Sequence, residues 1–167
     1  MHLRFAKQLL SMNLIRKQKI RFFFLHYILI MIVNFLANFL ADPDSGYVSP
    51  FCYMLVYEFF ILAVIIAPIK ETICFQFIPK LILNFIGIKN HIIVLFILGS
   101  FFSLLHTVHQ TENALFLLFF TIGCFVLVNY YMQVQKRENT KNAIFKTIIL
   151  HSFINLTTFI VDVVFFY

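Results

Sequence analysis

Residues 114–134 read ALFLLFFTIGCFVLVNYYMQV and contain no charged side chain. A helix needs about 20 predominantly apolar residues to cross the hydrocarbon core of a bilayer, so this run predicts a transmembrane span. The chain as a whole has the same character, with 62% hydrophobic and only 12% charged residues. Such a composition lies outside the range of soluble globular domains. The sequence therefore predicts an integral membrane protein.

Apolar runs on both sides of this stretch predict an all-α, polytopic transmembrane helical bundle of about five spans. Residues 70–89 are also apolar, but polar residues and a proline interrupt them, which predicts a helix end followed by an interfacial or re-entrant stretch. No separate soluble domain fits beside these spans in 167 residues. The predicted spans are 22–41, 51–68, 91–109, 114–134 and 144–167.

Residues 1–21 form a basic leader ahead of the predicted membrane domain, residues 22–167. The leader holds six of the thirteen Lys and Arg residues. Its apolar residues recur at helical spacing, which suits a short helix on an anionic membrane surface, and a disordered leader fits the composition equally well. With the N-terminus inside, the other cations also fall in predicted cytoplasmic segments. The positive-inside rule then predicts a multi-pass cell-membrane protein with a cytoplasmic N-terminus.

The net charge of +6 does not predict a nucleic-acid partner. The charges flank apolar runs, and no compact basic face with interleaved aromatic residues is present. The lipid bilayer accounts for this charge pattern, because anionic headgroups attract cations at the ends of spans.

A few ionisable residues lie inside the predicted spans, where each costs about 2.5 to 3.5 kcal/mol unless it has a partner, water or a function. A glutamate and histidines carried by different spans can supply acid–base chemistry or a His/Glu metal site. Residues four apart share a helix face, and three such pairs stand out: Thr72 with Gln76, Phe102 with His106, and His151 with Asn155.

Three ordered motifs, Glu71-Thr72-x-x-x-Gln76, Phe102-x-x-x-His106 and His151-x-x-x-Asn155, resemble those of the CPBP family. This family comprises the CAAX proteases and bacteriocin-processing enzymes of the Abi group. Its motifs read Glu-Glu-x-x-x-Arg, Phe-x-x-x-His and His-x-x-x-Asn, and the resemblance covers about residues 63 to 158.

The resemblance implies an intramembrane endopeptidase that hydrolyses a peptide bond of a membrane-associated protein or peptide. Glu71 with His106 would activate a water, while His151 and Asn155 would hold the oxyanion. Fixed donors aimed at a developing oxyanion stabilise it strongly in a low-dielectric site. The remaining motif residues would have supporting roles: Thr72, Gln76 and Phe102.

A metal-free mechanism is the expectation, so no cofactor is predicted. The alternative is a Zn²⁺ ion held by Glu71, His106 and His151 in a two-His-one-Glu set. The sequence contains no His-Glu-x-x-His helix. Asn155 also suits an oxyanion donor better than a zinc ligand.

The first motif departs from the family pattern, since Thr72 replaces the second glutamate and Gln76 replaces the arginine. Because these positions share a helix face, a Thr/Gln hydrogen bond would replace the family's ion pair without leaving a buried charge alone. The change leaves open an altered substrate preference or a lost activity.

The predicted spans place the three motifs at different depths. Glu71 and His151 would lie near the cytoplasmic ends of their helices, whereas His106 would lie ~22 Å toward the far side. Strong helix tilt, or a stretch at 70–90 that dips into the membrane, would be needed to bring them together.

Other functions remain open. The same fold could serve as a non-catalytic membrane scaffold or a bacteriocin self-immunity protein, in which the histidines and Asn155 only link helices. A proton-coupled transporter is a third reading, although five short spans without inverted repeats disfavour it. A homo-oligomer is also compatible, because so few spans must enclose a wet site.

Overall fold

The computed structural model describes residues 2–40, 56–107 and 114–166, with side chains at 14–37, 57–58, 60–105 and 114–161. These residues form seven α-helices and two π-helical segments, without a strand among them. The α-helices are α1 His2–Leu40, α2 Val56–Phe60, α3 Ala67–Glu71, α4 Ile78–Phe85, α5 His91–Thr107, α6 Ala114–Arg137 and α7 Thr140–Phe166. The π-helical segments, Ile61–Ile66 and Thr72–Phe77, precede α3 and α4.

The predicted all-α transmembrane bundle is confirmed. Four helical stretches are long and apolar enough to cross a membrane, and α5 contributes a shorter apolar stretch, His91–Leu105. Large apolar side chains cover the outer surface of these helices, as expected for contact with lipid tails. The four long stretches are Leu14–Ala37, Ile61–Phe85, Ala114–Arg137 and Thr140–Val161.

The division between spans differs from the sequence prediction at residues 56–85. These residues form one continuous helix, here called the segmented helix, because the residues at its internal boundaries all have right-handed helical dihedrals. Residues 70–85 therefore continue a helical stretch, Ile61–Phe85, that is long and apolar enough to cross a membrane. Lys70 and Lys80, which the prediction placed in a cytoplasmic segment, lie within this helix.

Two prolines explain why the sequence signalled a helix end that the structure does not have. The N–H of Ala67 donates to the carbonyl of Leu62, and the N–H of Ile78 donates to that of Ile73, each reaching back five residues. Pro68 and Pro79, which have no N–H, follow directly. One wide turn absorbs each missing donor, so the chain stays helical.

The basic leader predicted at 1–21 is continuous with the first span. Helix α1 runs from His2 to Leu40 without a break at residue 21. The boundary between leader and membrane domain is therefore a change of composition within one helix.

Helix α6 lies at the centre of the bundle and packs against α1, α5 and α7. Ring stacking of Phe22 on Tyr130, with centroids 5.4 Å apart, joins α1 to α6. A 2.6 Å hydrogen bond between the hydroxyls of Ser103 and Thr121 joins α5 to α6. Such side-chain contacts hold apolar helices together where lipid tails are equally apolar.

The helices alternate in direction along the chain. Helix α1 runs parallel to α7, since Phe23 meets Phe153 and the Tyr27 hydroxyl lies 2.7 Å from that of Thr157, one turn further along both helices. The three-residue spacing between Arg137 and Thr140 makes α6 antiparallel to α7. Helices α1, α5 and α7 thus run one way, and α6 and the segmented helix run the other way.

Glu138, in the connection between α6 and α7, ties three elements together. Its Oε1 lies 3.0 Å from Lys19 Nζ of α1 and 2.6 Å from Lys146 Nζ of α7. Burial would by itself raise the pKa of this carboxyl, but hydrogen bonds and charges from Lys146 and Lys19 hold the pKa below its ordinary value. We refer to these three residues as the Glu138 lock.

Substitution of Gly99 tests the close packing of α5 on α6. A Cβ at Gly99 would lie 2.8 Å from the Phe125 ring, whereas a Cβ at Gly123 would meet Asn34 Oδ1 at an ordinary 3.5 Å. We expect Gly99→Ala to lower the free energy of unfolding by about 1–3 kcal/mol. Gly123→Ala is the matched control and should not be destabilising. Thermal unfolding in detergent micelles measures both, and equal losses would contradict the close contact.

The lowered pKa of Glu138 predicts pH-dependent stability. A carboxyl whose pKa is lower folded than unfolded stabilises the fold above its ordinary value of 4.5, and this stabilisation disappears as pH falls through the lowered folded pKa. We expect Glu138→Gln to cost about 1 kcal/mol near neutral pH, and the difference from wild type to vanish in acid. Glu58→Gln, at an exposed carboxylate of α2, is the control. A constant difference at all pH values would contradict the prediction.

Candidate active site

Glu71 and His151 meet inside the bundle. Glu71 Oε2 lies 3.5 Å from His151 Nε2, and the two side chains are only 16% and 10% exposed. Glu71 ends α3, between the two π-helical segments, and His151 lies in α7, which packs against α3. The structure therefore brings together two of the four predicted catalytic residues.

Both residues lie midway along their apolar helices. Glu71 is ten residues from the start of Ile61–Phe85, and His151 is eleven residues from the start of Thr140–Val161. At 1.5 Å per residue, each is ~15 Å from that end of its helix. The sequence prediction placed both residues near the cytoplasmic ends of their helices, whereas in the structure the segmented helix continues beyond Glu71 to Phe85. The expected difference in depth concerned His106, whose side chain lies outside the described residues.

Aromatic rings form one wall of the site. Phe102 is buried in α5, and its ring meets that of His151 edge to face, with centroids 6.1 Å apart. Phe75, on the second π-helical segment, packs against Phe102 with centroids 5.9 Å apart. The predicted supporting residue Phe102 thus contacts the predicted site directly and orients the imidazole.

Further buried polar side chains lie near Glu71 and His151 on the same two helices. The side chains of Thr72, Gln76 and Thr147 are fully buried, and none of their polar atoms has a hydrogen-bond partner within the described part of the chain. Each such group costs about 1–3 kcal/mol unless water or a polar ligand satisfies it. The interior next to Glu71 therefore favours water or a polar substrate over lipid.

Thr147 was not among the predicted site residues. It lies one helical turn before His151 on the same face of α7, and the sequence signal for it is the spacing of Thr147, His151 and Asn155 at intervals of four.

The Thr72–Gln76 hydrogen bond expected to replace the family's ion pair is not made. Both side chains are nevertheless buried on the face of the segmented helix that meets α5 and α7.

Asn155 stabilises the first π-helical segment. Its Nδ2 donates to the carbonyl of Ala63 at 2.7 Å. That carbonyl has lost its usual helical donors, because the N–H of Ala67 bonds to Leu62 and Pro68 has no N–H. The amide of Asn155 therefore satisfies a backbone group that a membrane interior cannot leave unpaired.

The side chain of the predicted catalytic residue His106 lies outside the described residues. The backbone of His106 belongs to the last turn of α5, one turn beyond Phe102. In the described part of the chain, no group of three His, Cys, Asp or Glu residues is arranged to hold a metal ion. The alternative zinc set includes His106, so its geometry is outside what the structure describes.

A second set of polar contacts leads from this site toward the connection between α6 and α7. Lys80, one helical turn after Gln76, donates a hydrogen bond from Nζ to Gln135 Oε1. Its ammonium also lies 5.6 Å from the centroid of the Tyr131 ring. Gln135 in turn donates to the hydroxyl of Thr140 at 2.9 Å. We call these four residues, Lys80, Tyr131, Gln135 and Thr140, the polar stripe. It runs from the middle of the bundle to the end that holds the α6–α7 connection.

The arrangement has the components of acid–base chemistry. A carboxylate and an imidazole on opposing helices can pass a proton between them and a water or substrate held nearby. The surrounding aromatic and aliphatic side chains keep the local dielectric low, which strengthens such polar interactions.

Comparisons with family models, with curated proteins and with solved structures give no match. The functional argument therefore rests on the residues and their geometry.

The bond between Asn155 and Ala63 predicts a specific double-mutant result. Asn155→Ala should lower stability by about 1–3 kcal/mol, because the Ala63 carbonyl would be left buried without a donor. Pro68→Ala restores a backbone N–H near that carbonyl. The cost of Asn155→Ala should therefore be smaller in the Pro68→Ala background, as measured by unfolding in detergent. Additive effects of the two substitutions would contradict the proposed bond.

Proposed function

We propose that this protein is an intramembrane endopeptidase that uses Glu71 to activate water. The observation that carries the proposal is the pairing of Glu71 with His151 at mid-depth in the bundle. A glutamate and a histidine buried together in a membrane are costly and require a function or a strong structural reason. The resemblance to CAAX proteases supplies the reaction class.

Glu71 would accept a proton from a water molecule as the water oxygen attacks a peptide carbonyl. The new C–O bond forms while the carbonyl π electrons move onto oxygen, and a donor from the His151 ring would stabilise that oxyanion. Glu71 would then return the proton to the amine nitrogen as the C–N bond breaks. Net consumption is one water for each peptide bond cleaved.

Asn155 supports this site indirectly. One N–H of its amide is engaged by the Ala63 carbonyl, and an amide has a second N–H. We propose that Asn155 holds the segmented helix against α7, which fixes the separation of Glu71 and His151. His106 remains the candidate second partner of the water, because its motif places it one turn beyond Phe102.

A membrane-associated protein or peptide is the proposed substrate. The outer surfaces of the helices are apolar, so a cleavable segment would approach from within the bilayer. The polar stripe at Lys80 and Gln135 provides hydrogen-bonding groups along which water can reach mid-depth. We propose a cell-membrane location with the N-terminus in the cytoplasm, since basic residues of α1, of the end of α6 and of the first turns of α7 share one end of the bundle.

A non-catalytic scaffold or bacteriocin self-immunity protein is the second candidate. The observation that favours it is the engagement of Asn155 in helix packing instead of an open donor position. In that case the buried polar residues would fix the helix register or bind a partner helix.

Cleavage by the purified full chain in lipid separates these functions. The substrates are membrane-anchored peptides with and without a prenyl group. We expect wild type to cleave one class and Glu71→Gln to lose at least about 100-fold in rate, because a positioned acid–base group contributes that much or more. Glu58→Gln changes an exposed carboxylate of the same segmented helix and should retain wild-type activity.

Two further samples complete the assay. His151→Gln should also lose activity, and wild type with a zinc chelator should retain it; loss with the chelator would replace the metal-free mechanism by the zinc alternative. A folded wild-type protein that cleaves none of the peptides would overturn the protease proposal and favour the scaffold.

A further inference from the structure

A cavity of about 470 Å³ opens between α1, α6 and α7, at the end of the bundle that holds the α6–α7 connection. It is separate from the Glu71 site, with which it shares no residue. Apolar side chains from all three helices form most of its wall, including Phe22, Phe23, Val134 and Ile149. Its rim holds four charged residues.

The charges on this rim do not balance. Lys19, Arg137 and Lys146 are cationic, and Glu138 is the one anionic residue among those lining the cavity. The Glu138 lock uses its carboxylate on Lys19 and Lys146. The rim thus carries an excess of two positive charges beside an apolar wall.

Arg137 is the cation best placed to bind an anion. Its guanidinium lies over the Phe22 ring, 4.2 Å from the centroid, so the ring holds the planar group by one face. A guanidinium has five N–H donors, and contact with an aromatic ring does not engage them with an oxygen acceptor. Among the described residues, no carboxylate pairs with Arg137.

The position of the cavity at the membrane boundary indicates which kind of anion it would bind. Arg137 ends α6 and the next helix starts at Thr140, so the charged rim lies where apolar helices reach the membrane boundary. A small soluble anion would leave the apolar wall unfilled, and a neutral lipid would leave the excess charge unpaired. A molecule with a phosphate beside long acyl chains matches both features.

We propose that this cavity binds an anionic glycerophospholipid, with its phosphate on Arg137 and an acyl chain along Phe23 and Ile149. The bound lipid would fill the space between α1 and the α6–α7 pair. The proposal does not depend on the Glu71 chemistry, and neither result affects the other.

Native mass spectrometry of the full chain, released from mixed micelles of phosphatidylglycerol and phosphatidylcholine, tests the proposal. We expect wild type to retain phosphatidylglycerol in preference to phosphatidylcholine. Arg137→Gln should weaken retention about tenfold, the effect expected for a charge-assisted hydrogen bond, and Arg137→Lys should be intermediate because the planar fork is lost. Lys136→Gln is the matched control, since this neighbouring exposed cation does not line the cavity.

Three outcomes would overturn the proposal. Equal retention of the two lipids by wild type excludes an anion-selective site, and this measurement needs no variant. Equal loss in Arg137→Gln and Lys136→Gln would indicate general surface charge instead of the cavity. Complete displacement of the lipid by millimolar glycerol phosphate would show that the acyl chain contributes nothing and that the site is one for soluble phosphate.

Discussion

This structure depends on one constraint, which the hydrogen bonding of the Ala63 carbonyl illustrates. Backbone polar groups at membrane depth must be satisfied within the protein, and Pro68 removes a donor in the middle of a membrane helix. The chain responds with one wide turn and with the amide of Asn155 from another helix. This bond satisfies the carbonyl that Pro68 leaves without a donor, and it fastens the segmented helix to α7.

The candidate site follows from that attachment. Because the segmented helix and α7 run in opposite directions, fastening Ala63 to Asn155 brings Glu71 beside His151. Phe102 of α5 then closes the site from a third helix. Helix α6 lies at the centre of the bundle and packs against α1, α5 and α7. The polar residues of the site are enclosed between the segmented helix, α5 and α7. The cost of burying them is offset only if the site holds water or a polar ligand.

One end of the bundle carries charged side chains, whereas the outer surface of its middle is apolar. There the Glu138 lock joins α1 to α7 through ion pairs that are partly exposed and therefore sensitive to pH and salt. Arg137 and the apolar cavity next to it lie at the same end. The hydrogen bonds of Lys80 and Gln135 connect this end to the interior. One protein thus combines a water-favouring interior with a lipid-favouring exterior and a cationic boundary.

The sequence by itself determined the class of fold. Apolar runs long enough to cross a bilayer, together with few charged residues, predict a helical membrane bundle. The resemblance of its three motifs to those of the CPBP family also indicated Glu71, Phe102 and His151 as candidates, and these three residues meet in the structure. The stretch at 70–85 was divided differently, because Pro79 signals a helix end, whereas in the structure one wide turn before it keeps the chain helical. The leader was divided differently because its composition changes at residue 21 while the helix continues.

Tertiary structure alone decided the remaining features. The bond of Asn155 joins residues 92 positions apart in the chain, and the Glu138 lock joins α1 and α7 to the connection between α6 and α7. Thr147 belongs to the site because the packing of α7 places the helix face that carries Thr147 and His151 against the segmented helix. Such contacts depend on how helices pack against each other, and periodicity along one helix carries no information about the face of its neighbour. That is the physical reason why the sequence identified the components of the site and packing decided how they are arranged.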